Sequence, residues 1–500
     1  MGFLKYYEGR DRDIEFFLEA EKPLIASRKE QQQHNEEVLA RTLGIAGEIP
    51  LMQQFGNSLA KIGSVESLEK IGFYMRSDEL LPRDNSKETW QRLLGNITLR
   101  YDACTSGSTG LPKFMAYTQE STELAALSLA GYFAETLIRL HEQKIKPVLL
   151  SLTGAEQFVT YKAIPQLGVD MGMNVVHIPL RVALNNEEAA RELATYLENH
   201  DVHGIITLPN MVSPLEHRLE SISKKAAERL FSTLVIGGFG GSEIYPNIEA
   251  YLAQKCGKVV NLYASTEFLI PIASDGKKGC QVQHINPSYA IAGIIPLEEL
   301  EKESESYVPK MTLLQNAPIG TKGELVLTLA SAIPWINART DDYVEVVDGN
   351  GKYNTPAVSY WAKGSSILDI GGAKVYPEEF NASMNALEAR VGDWLIQAVK
   401  GQELGKIHDV LKVHYEGEAS PQEVYDSLVK NTSEFGVFAS EYPLFEVEIS
   451  NVPVGSIQAA RAQKMQDMKG APGPMKHKIL KQFEYQMLPT VGSAFSISHR

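Results

Sequence analysis

The chain has 500 residues, 44% of them hydrophobic and 22% charged, and its 62 acidic against 48 basic residues give a formal net charge of −14. That length exceeds the usual size of one core, so two or more domains are expected, and the acidic balance argues against a nucleic-acid backbone as the main partner. No apolar stretch approaches the ~18 residues of a membrane span, charges follow Met1-Gly2-Phe3-Leu4 too soon for a secretory signal, and three sparse cysteines (Cys104, Cys256, Cys280) suit a reducing cytoplasm.

In chain order, residues 1–95 read as mostly helical, with charged faces and few Gly or Pro. Residues 97–103 alternate like a strand and run into Thr105-Ser106-Gly107-Ser108-Thr109-Gly110-Leu111-Pro112-Lys113. Residues 120–141 read as a long Ala/Leu-rich helix. Short apolar strands then alternate with helices: strands at 147–152, 174–178, 204–208, 233–236 and 259–263, helices at 187–200 and 214–231. Such alternation predicts an α/β domain with a largely parallel sheet, whose ligands gather beyond the carboxyl ends of the strands. From about residue 322 the pattern changes to strands and hairpins: 323–328, then 343–347 turning through Asp348-Gly349-Asn350-Gly351 into a return strand. Beyond Lys363 a smaller α+β unit is expected. The division is therefore 1–362, with 1–95 as a helical leader, and 363–500.

The run at 105–113 has few side chains that pack in a core and many groups that hold a phosphate. Its glycines let backbone N–H groups approach an anion, Ser106, Ser108 and Thr109 add donors, and Lys113 brings a positive charge. The mononucleotide loop of kinases and GTPases needs Gly-Lys-Ser/Thr after its spacer; here Pro112 precedes Lys113, so that pattern is excluded. Cys104, directly before the loop, reads as a small buried residue at a strand end, not as a nucleophile.

The order Ser-Gly-Ser-Thr-Gly-x-Pro-Lys resembles the phosphate loop of the adenylate-forming ligases, which join ATP to a carboxylate. Further segments resemble that family in the same order. Residues 234–243 resemble its glycine-rich segment lining the adenine and acyl pockets, implying Gly240, Gly241 and Ser242. Tyr263-Ala264-Ser265-Thr266-Glu267 resembles Tyr-Gly-x-Thr-Glu, with Ala264 in the glycine position. There the resemblance implies that the Tyr263 ring covers the adenine, Thr266 meets the phosphate and Glu267 holds Mg²⁺, a hard cation suited to one carboxylate plus substrate phosphates. Arg339-Thr340-Asp341-Asp342 resembles the segment whose Asp receives both ribose hydroxyls; Asp342 matches, with Asp341 as the alternative. Residues 360–380 resemble the domain junction of the phenylacetate–CoA ligase branch, but Lys363 stands for the usual Arg, and Ser365 and Ser366 for the acidic hinge pair. Lys is a point charge without the bidentate fork of Arg. Near the end, Lys476-His477-Lys478-Ile479 resembles the tail motif carrying the adenylation lysine; Lys478 aligns, and Lys476 competes. Asn354-Thr355-Pro356 and the acid-free run after Lys363 resemble a second relative, the plant-hormone acyl–amido synthetases.

The resemblance implies an α/β fold: a large N-terminal domain with mixed or parallel sheets, and a small mobile α+β C-terminal domain. It implies ATP and Mg²⁺ as cofactors, a small-molecule carboxylic acid as substrate, and an acyl-adenylate intermediate. The acyl group then passes to a thiol, CoA being favoured by the junction, or to an amine or amino acid. A nucleotide-binding protein that has lost catalysis is a third reading, motivated by Ala264, Lys363, Ser365, Ser366 and His477. Phe158 and Tyr161 are expected to wall the acid's pocket.

Overall fold

The computed structural model describes residues 2–104 except 83, 113–154, 159–240, 244, 246–363 except 277, 278, 305 and 350, 368–370, 373–375, 380, 383, 384, 386, 387, 390–399, 409–432, 445–457 except 454 and 455, and 495–497. Its strands in chain order are β1 (Lys5–Tyr7), β2 (Tyr101–Cys104), β3 (Phe114–Tyr117), β4 (Val148–Thr153), β5 (Asn174–Pro179), β6 (Gly204–Thr207), β7 (Ile236–Gly240) and β8 (Val259–Ser265). There follow β9 (Leu269–Ser274), β10 (Gln283–Ile285), β11 (Ala290–Pro296), β12 (Thr312–Leu313), β13 (Lys322–Leu329), β14 (Trp335–Val347) and β15 (Ala357–Lys363). All but β2 and β3 of these form one 13-stranded sheet in the order β1-β5-β4-β6-β7-β8-β9-β10-β15-β14-β13-β11-β12. β5, β4, β6, β7 and β8 run parallel; from β8 to β12 each pairing is antiparallel. β2 and β3 make a separate hairpin.

Helices cover both faces of the parallel half, as burying two apolar faces requires. One face carries the helices α3 (Gln119–Glu142) and α4 (Val159–Asp170), with α1 (Ile14–Ile25) packed on α3, while α2 (Arg28–Glu48) lies against β11 and β13 of the antiparallel half. α2 starts at Ser27, whose hydroxyl and the Glu30 carboxylate cap each other's backbone N–H groups. α1 lies so close to α3 that a Cβ on Gly131 would sit 2.3 Å from the Ala20 carbonyl oxygen. The leader is mostly helical, yet its first strand, β1, also closes the edge of the large sheet against β5.

Four local expectations are corrected. The strand expected at 233–236 begins only at Ile236 and runs through the glycines, because Thr233 still ends a helix. A Cβ on Gly238 would come within 3.1 Å of Ile206 and Leu262, so this buried strand has no room for side chains there. The helix expected over 214–231 is two, Val212–Ile222 and Lys224–Thr233, broken where Ser223 turns extended to cap the second. The return strand after Asp348-Gly349 begins only at Ala357, because the intervening residues bury Tyr353 against Tyr132, ring centroids 5.9 Å apart. The expected strand at 97–103 also shrinks, to Tyr101–Cys104.

The C-terminal part builds its own sheets. β16 (Leu368–Ile370) pairs with β17 (Ala373–Val375). β18 (Val391–Val399), β19 (Asp409–Gly417), β20 (Phe445–Asn451) and β21 (Phe495–Ile497) form a four-stranded sheet in that order, packed by the helix Pro421–Asn431. The fold is thus α/β with a large mixed sheet and a separate small sheet, as expected. No helix among the described residues is long and apolar enough to cross a membrane.

Candidate functional site

The hairpin of β2 and β3 frames the loop, with Cys104 opposite Phe114 in register. The loop residues Thr105, Ser106, Gly107, Ser108, Thr109 and Gly110 lie outside the described residues. The hairpin's base is fixed on two sides: the Lys162 ammonium lies 2.9 Å from the Asp102 carboxylate, and the Asn85 amide donates to the same group at 3.1 Å. Lys113 is described and only 4% exposed. Its ammonium donates to the Ser77 hydroxyl at 3.2 Å.

β8 delivers the next segment from the carboxyl end of the parallel half. Tyr263 is half-buried, Ala264 exposed, and Ser265, Thr266 and Glu267 half-buried. The Ser265 hydroxyl accepts the Phe268 N–H at 3.1 Å and so closes the turn. The Thr266 carbonyl accepts the Tyr117 hydroxyl, which ties this turn to β3 behind the phosphate loop. Burial pushes the Tyr117 phenol well above its usual range, with Tyr101 and Glu267 adding to it. Gly240, the end of the neighbouring β7, brings its backbone close to β8: a Cβ there would meet the Leu262 carbonyl oxygen at 2.8 Å. Gly241 and Ser242 lie outside the described residues.

The third segment is an irregularity inside β14. Its pairing with β13 slips between Glu324 and Val326, and Asp341 takes a left-handed φ of 59°. Asp tolerates that conformation, but it is strained and has to be held. Glu324 holds it. Its carboxylate accepts the Asp341 N–H at 3.1 Å and two bonds from the Arg339 guanidinium, at 3.0 and 2.5 Å. Glu324 and Arg339 side chains are 1% and 5% exposed; the pair keeps Arg339 charged, its pKa raised against the burial. Arg339 also reaches Glu303 at 2.5 Å. The Asp342 N–H turns onto the Thr340 hydroxyl at 3.2 Å.

These segments meet. The Tyr263 hydroxyl donates to the Asp342 carboxylate at 2.7 Å, across 79 positions of sequence. Burial, then the Asp342 charge, raises the Tyr263 phenol well above its usual range. Asp342, not Asp341, faces Tyr263, and in the backbone register of β14 and β15 it stands opposite Lys363. The two acids therefore sit within a strand, not ahead of a hairpin turn. Ser365 and Ser366, Lys476 and Lys478, and Phe158 lie outside the described residues. Tyr161 is buried in α4, its ring edge-on to His177 at 4.5 Å. Cys104 is buried with its thiol pushed up by that burial, as an inert strand-end residue should be.

Sequence reasoning passed over Glu324, gave Arg339 no role beyond its place in the motif, and passed over Ser77. For the first two a signal existed: an acid in Gly323-Glu324-Leu325-Val326 and an arginine after Ala338, each in an apolar strand, need one another once buried. For Ser77 there was none.

A sequence profile of the AMP-binding enzyme family matches residues 98–327. No curated protein matches the chain by sequence. Among solved structures, 2-hydroxyisobutyryl-CoA ligase with 2-HIB-AMP and CoA in the thioesterification state is 13% identical, with 89% of this chain and 94% of that chain covered and a TM-score of 0.58. The same ligase in the postadenylation state with 2-HIB-AMP gives 13% identity, 89% and 93% coverage and a TM-score of 0.51. An acyl acid amido synthetase is 12% identical over 99% of this chain and 98% of its own, with a TM-score of 0.48. The AMP-binding profile thus matches the segment from the phosphate-loop hairpin to β13, and the likeness to 2-hydroxyisobutyryl-CoA ligase extends that similarity to the fold of most of the chain.

Proposed function

We propose that this protein activates a carboxylic acid with ATP, forming an acyl-adenylate and pyrophosphate, and then passes the acyl group to a thiol, CoA being the favoured acceptor. The observation that carries the reading is the meeting of Tyr263 and Asp342, two motif residues distant in sequence, beside the turn that bears Thr266 and Glu267.

In this reading the loop 105–113 receives the β- and γ-phosphates, with Thr105, Ser106, Gly107, Ser108, Thr109 and Gly110 offering N–H and hydroxyl donors and Lys113 a charge. The Tyr263 ring covers the adenine beside Gly240, Gly241 and Ser242, while Asp342 accepts the ribose hydroxyls with Lys363 across the ladder. Thr266 meets the α-phosphate. The donor chemistry suits Mg²⁺: Glu267, half-buried in the turn after β8, offers the single protein carboxylate that such an ion takes alongside substrate phosphates. Bound there, Mg²⁺ would neutralise charge on the phosphates. The substrate carboxylate oxygen then attacks the α-phosphorus and pyrophosphate leaves; Lys478, or Lys476, enters from the C-terminal part to meet the carboxylate and α-phosphate. In the second step the thiol sulfur attacks the acyl carbon, the acyl–phosphate bond breaks, AMP departs and the thiol proton is released. The three free, buried cysteines support a cytoplasmic setting.

An amine acceptor is the second reading, on the strength of the serines at 365 and 366. The Asn354-Thr355 segment gives it no site: Asn354 donates to the Leu24 and Ile25 carbonyls at 2.9 and 2.8 Å and packs the leader. The test is carboxylate-dependent exchange of labelled pyrophosphate into ATP over a panel of acids, followed by AMP release with CoA or with amino acids. Exchange that does not depend on an acid, or no exchange with any acid of the panel, overturns activation. Release driven by amino acids and not by CoA overturns the thioester.

A further inference from the structure

The leader touches both nucleotide-facing segments through a short stretch, Leu68 to Pro82. On one side Ser77 accepts from Lys113 at 3.2 Å, and the next residue of β3, Phe114, donates its N–H to the Pro82 carbonyl at 2.9 Å. Those two contacts fix the point where the phosphate-loop segment enters β3 of the separate hairpin. On the other side Met75 lies alongside β14 as a parallel bridge to Ala338. Its N–H donates to the Asn337 carbonyl at 3.3 Å and its carbonyl accepts the Arg339 N–H at 3.0 Å. The Asn337 side-chain amide reaches further back, to the Leu68 carbonyl, at 2.9 Å.

The second attachment falls where β14 is strained. Asn337 has a φ of 47° and Asp341 one of 59°. A strand bent twice within five positions does not hold its course by its own ladder, and here its pairing with β13 is interrupted. Met75 supplies the backbone partners on the outer side of the bend while Glu324 supplies them on the inner side. Met75 and Ser77 are two residues apart in the chain. Whatever sets one sets the other.

We infer that residues 68–82 are a brace that fixes the distance between the phosphate-loop lysine and the ribose-binding acid, with Ser77 and Asn337 as positioning residues for ATP. The inference rests on the nucleotide reading of Lys113 and Asp342 given above. Ser77 acts at the triphosphate end, through the Lys113 ammonium. Asn337 acts at the ribose end, through the course of β14 toward Asp342. Neither touches the reacting atoms. A packing role for the same stretch would have no reason to distinguish one end of the nucleotide from the other.

The experiment measures ATP and AMP binding to the full chain by titration calorimetry, with melting temperature as a control. Ser77→Ala should weaken ATP roughly tenfold, as loss of a hydrogen bond to a charged group does, while AMP binding changes less than about twofold. Ser77→Thr should restore ATP. Combining Ser77→Ala with Lys113→Met should be no worse than Lys113→Met alone. Asn337→Gly keeps the left-handed backbone available and removes the tether to Leu68; it should weaken ATP and AMP by the same factor. The inference is overturned if Ser77→Ala binds ATP as the wild type does, if it loses ATP and AMP alike, or if the double variant is additive. Failure of both variants to fold would also overturn it, making the stretch a stability element. A wild type that binds neither nucleotide would instead sink the nucleotide reading, and the brace with it.

Discussion

Glu324→Gln tests how the bend before Asp342 is held. The substitution keeps shape and an acceptor for the Asp341 N–H but removes the charge facing Arg339. Breaking a buried ion pair from one side costs about 3–5 kcal/mol, because the remaining charge is left desolvated. Here Arg339 retains Glu303, whose side chain is 37% exposed, so the cost should fall at the lower end, about 3 kcal/mol, or roughly 100-fold in the folding equilibrium. Urea unfolding can follow this through Trp335, buried at the start of β14 and edge-on to Phe268 at 5.6 Å. With a slope of about 3 kcal/mol per molar, the midpoint should drop by about 1 M. A second variant separates charge from packing. Replacing both partners, Glu324→Leu with Arg339→Met, should recover most of the stability and still bind AMP poorly, since the Asp341 N–H has lost its acceptor. A Glu324→Gln midpoint within about 0.3 M of wild type would refute the reasoning, and so would full AMP affinity in the double variant.

Tyr263→Phe removes the donor to Asp342, and AMP affinity should fall by about three- to tenfold, read by calorimetry; unchanged affinity would mean that Tyr263 does not orient the acid. His414 is buried in the C-terminal sheet with its ring 2.7 Å from the Ser450 hydroxyl. Burial, helped by Lys412 and opposed by Glu448, pushes it down to about 4. As pH falls from its ordinary 6.5 toward 4, the unfolded chain takes up a proton that the native state refuses, so stability present at neutral pH is lost by about 3 kcal/mol. Urea midpoints between pH 4.5 and 7 should show that slope in the wild type and lose it in His414→Gln. Gly131→Ala forces α1 away from α3 and should lower the melting temperature through about 1–3 kcal/mol of overpacking; an unchanged melt would show that the two helices have slack.

The parallel half of the sheet was legible because its strands are short apolar runs separated by helical periods, and each lies within a few residues of its expected place. The strand expected at 233–236 stopped short of the glycines at 237, 238 and 240, residues that strands disfavour; the packing of Phe133, Ile206 and Leu262 against Gly238 makes a strand of them. The motif residues announced their chemistry but not their neighbours. Which of Asp341 and Asp342 meets Tyr263 turned on a left-handed residue, and nothing in two adjacent acids says which will bend. Ser77 was invisible because its partner is 36 positions away and its own surroundings, a four-residue helix, look like an ordinary turn.

The pairing of Asp342 with Lys363 has a consequence for communication along the chain. Lys363 is the last residue of the large sheet among the described residues, so everything C-terminal departs from the rung directly across from Asp342. In the proposed reading, where Asp342 holds ribose, the nucleotide bears on the same rung from which the C-terminal part departs. Linkage makes that reciprocal: a partner or acyl acceptor that reorients the departing segment must alter AMP affinity by the same factor that AMP alters its own.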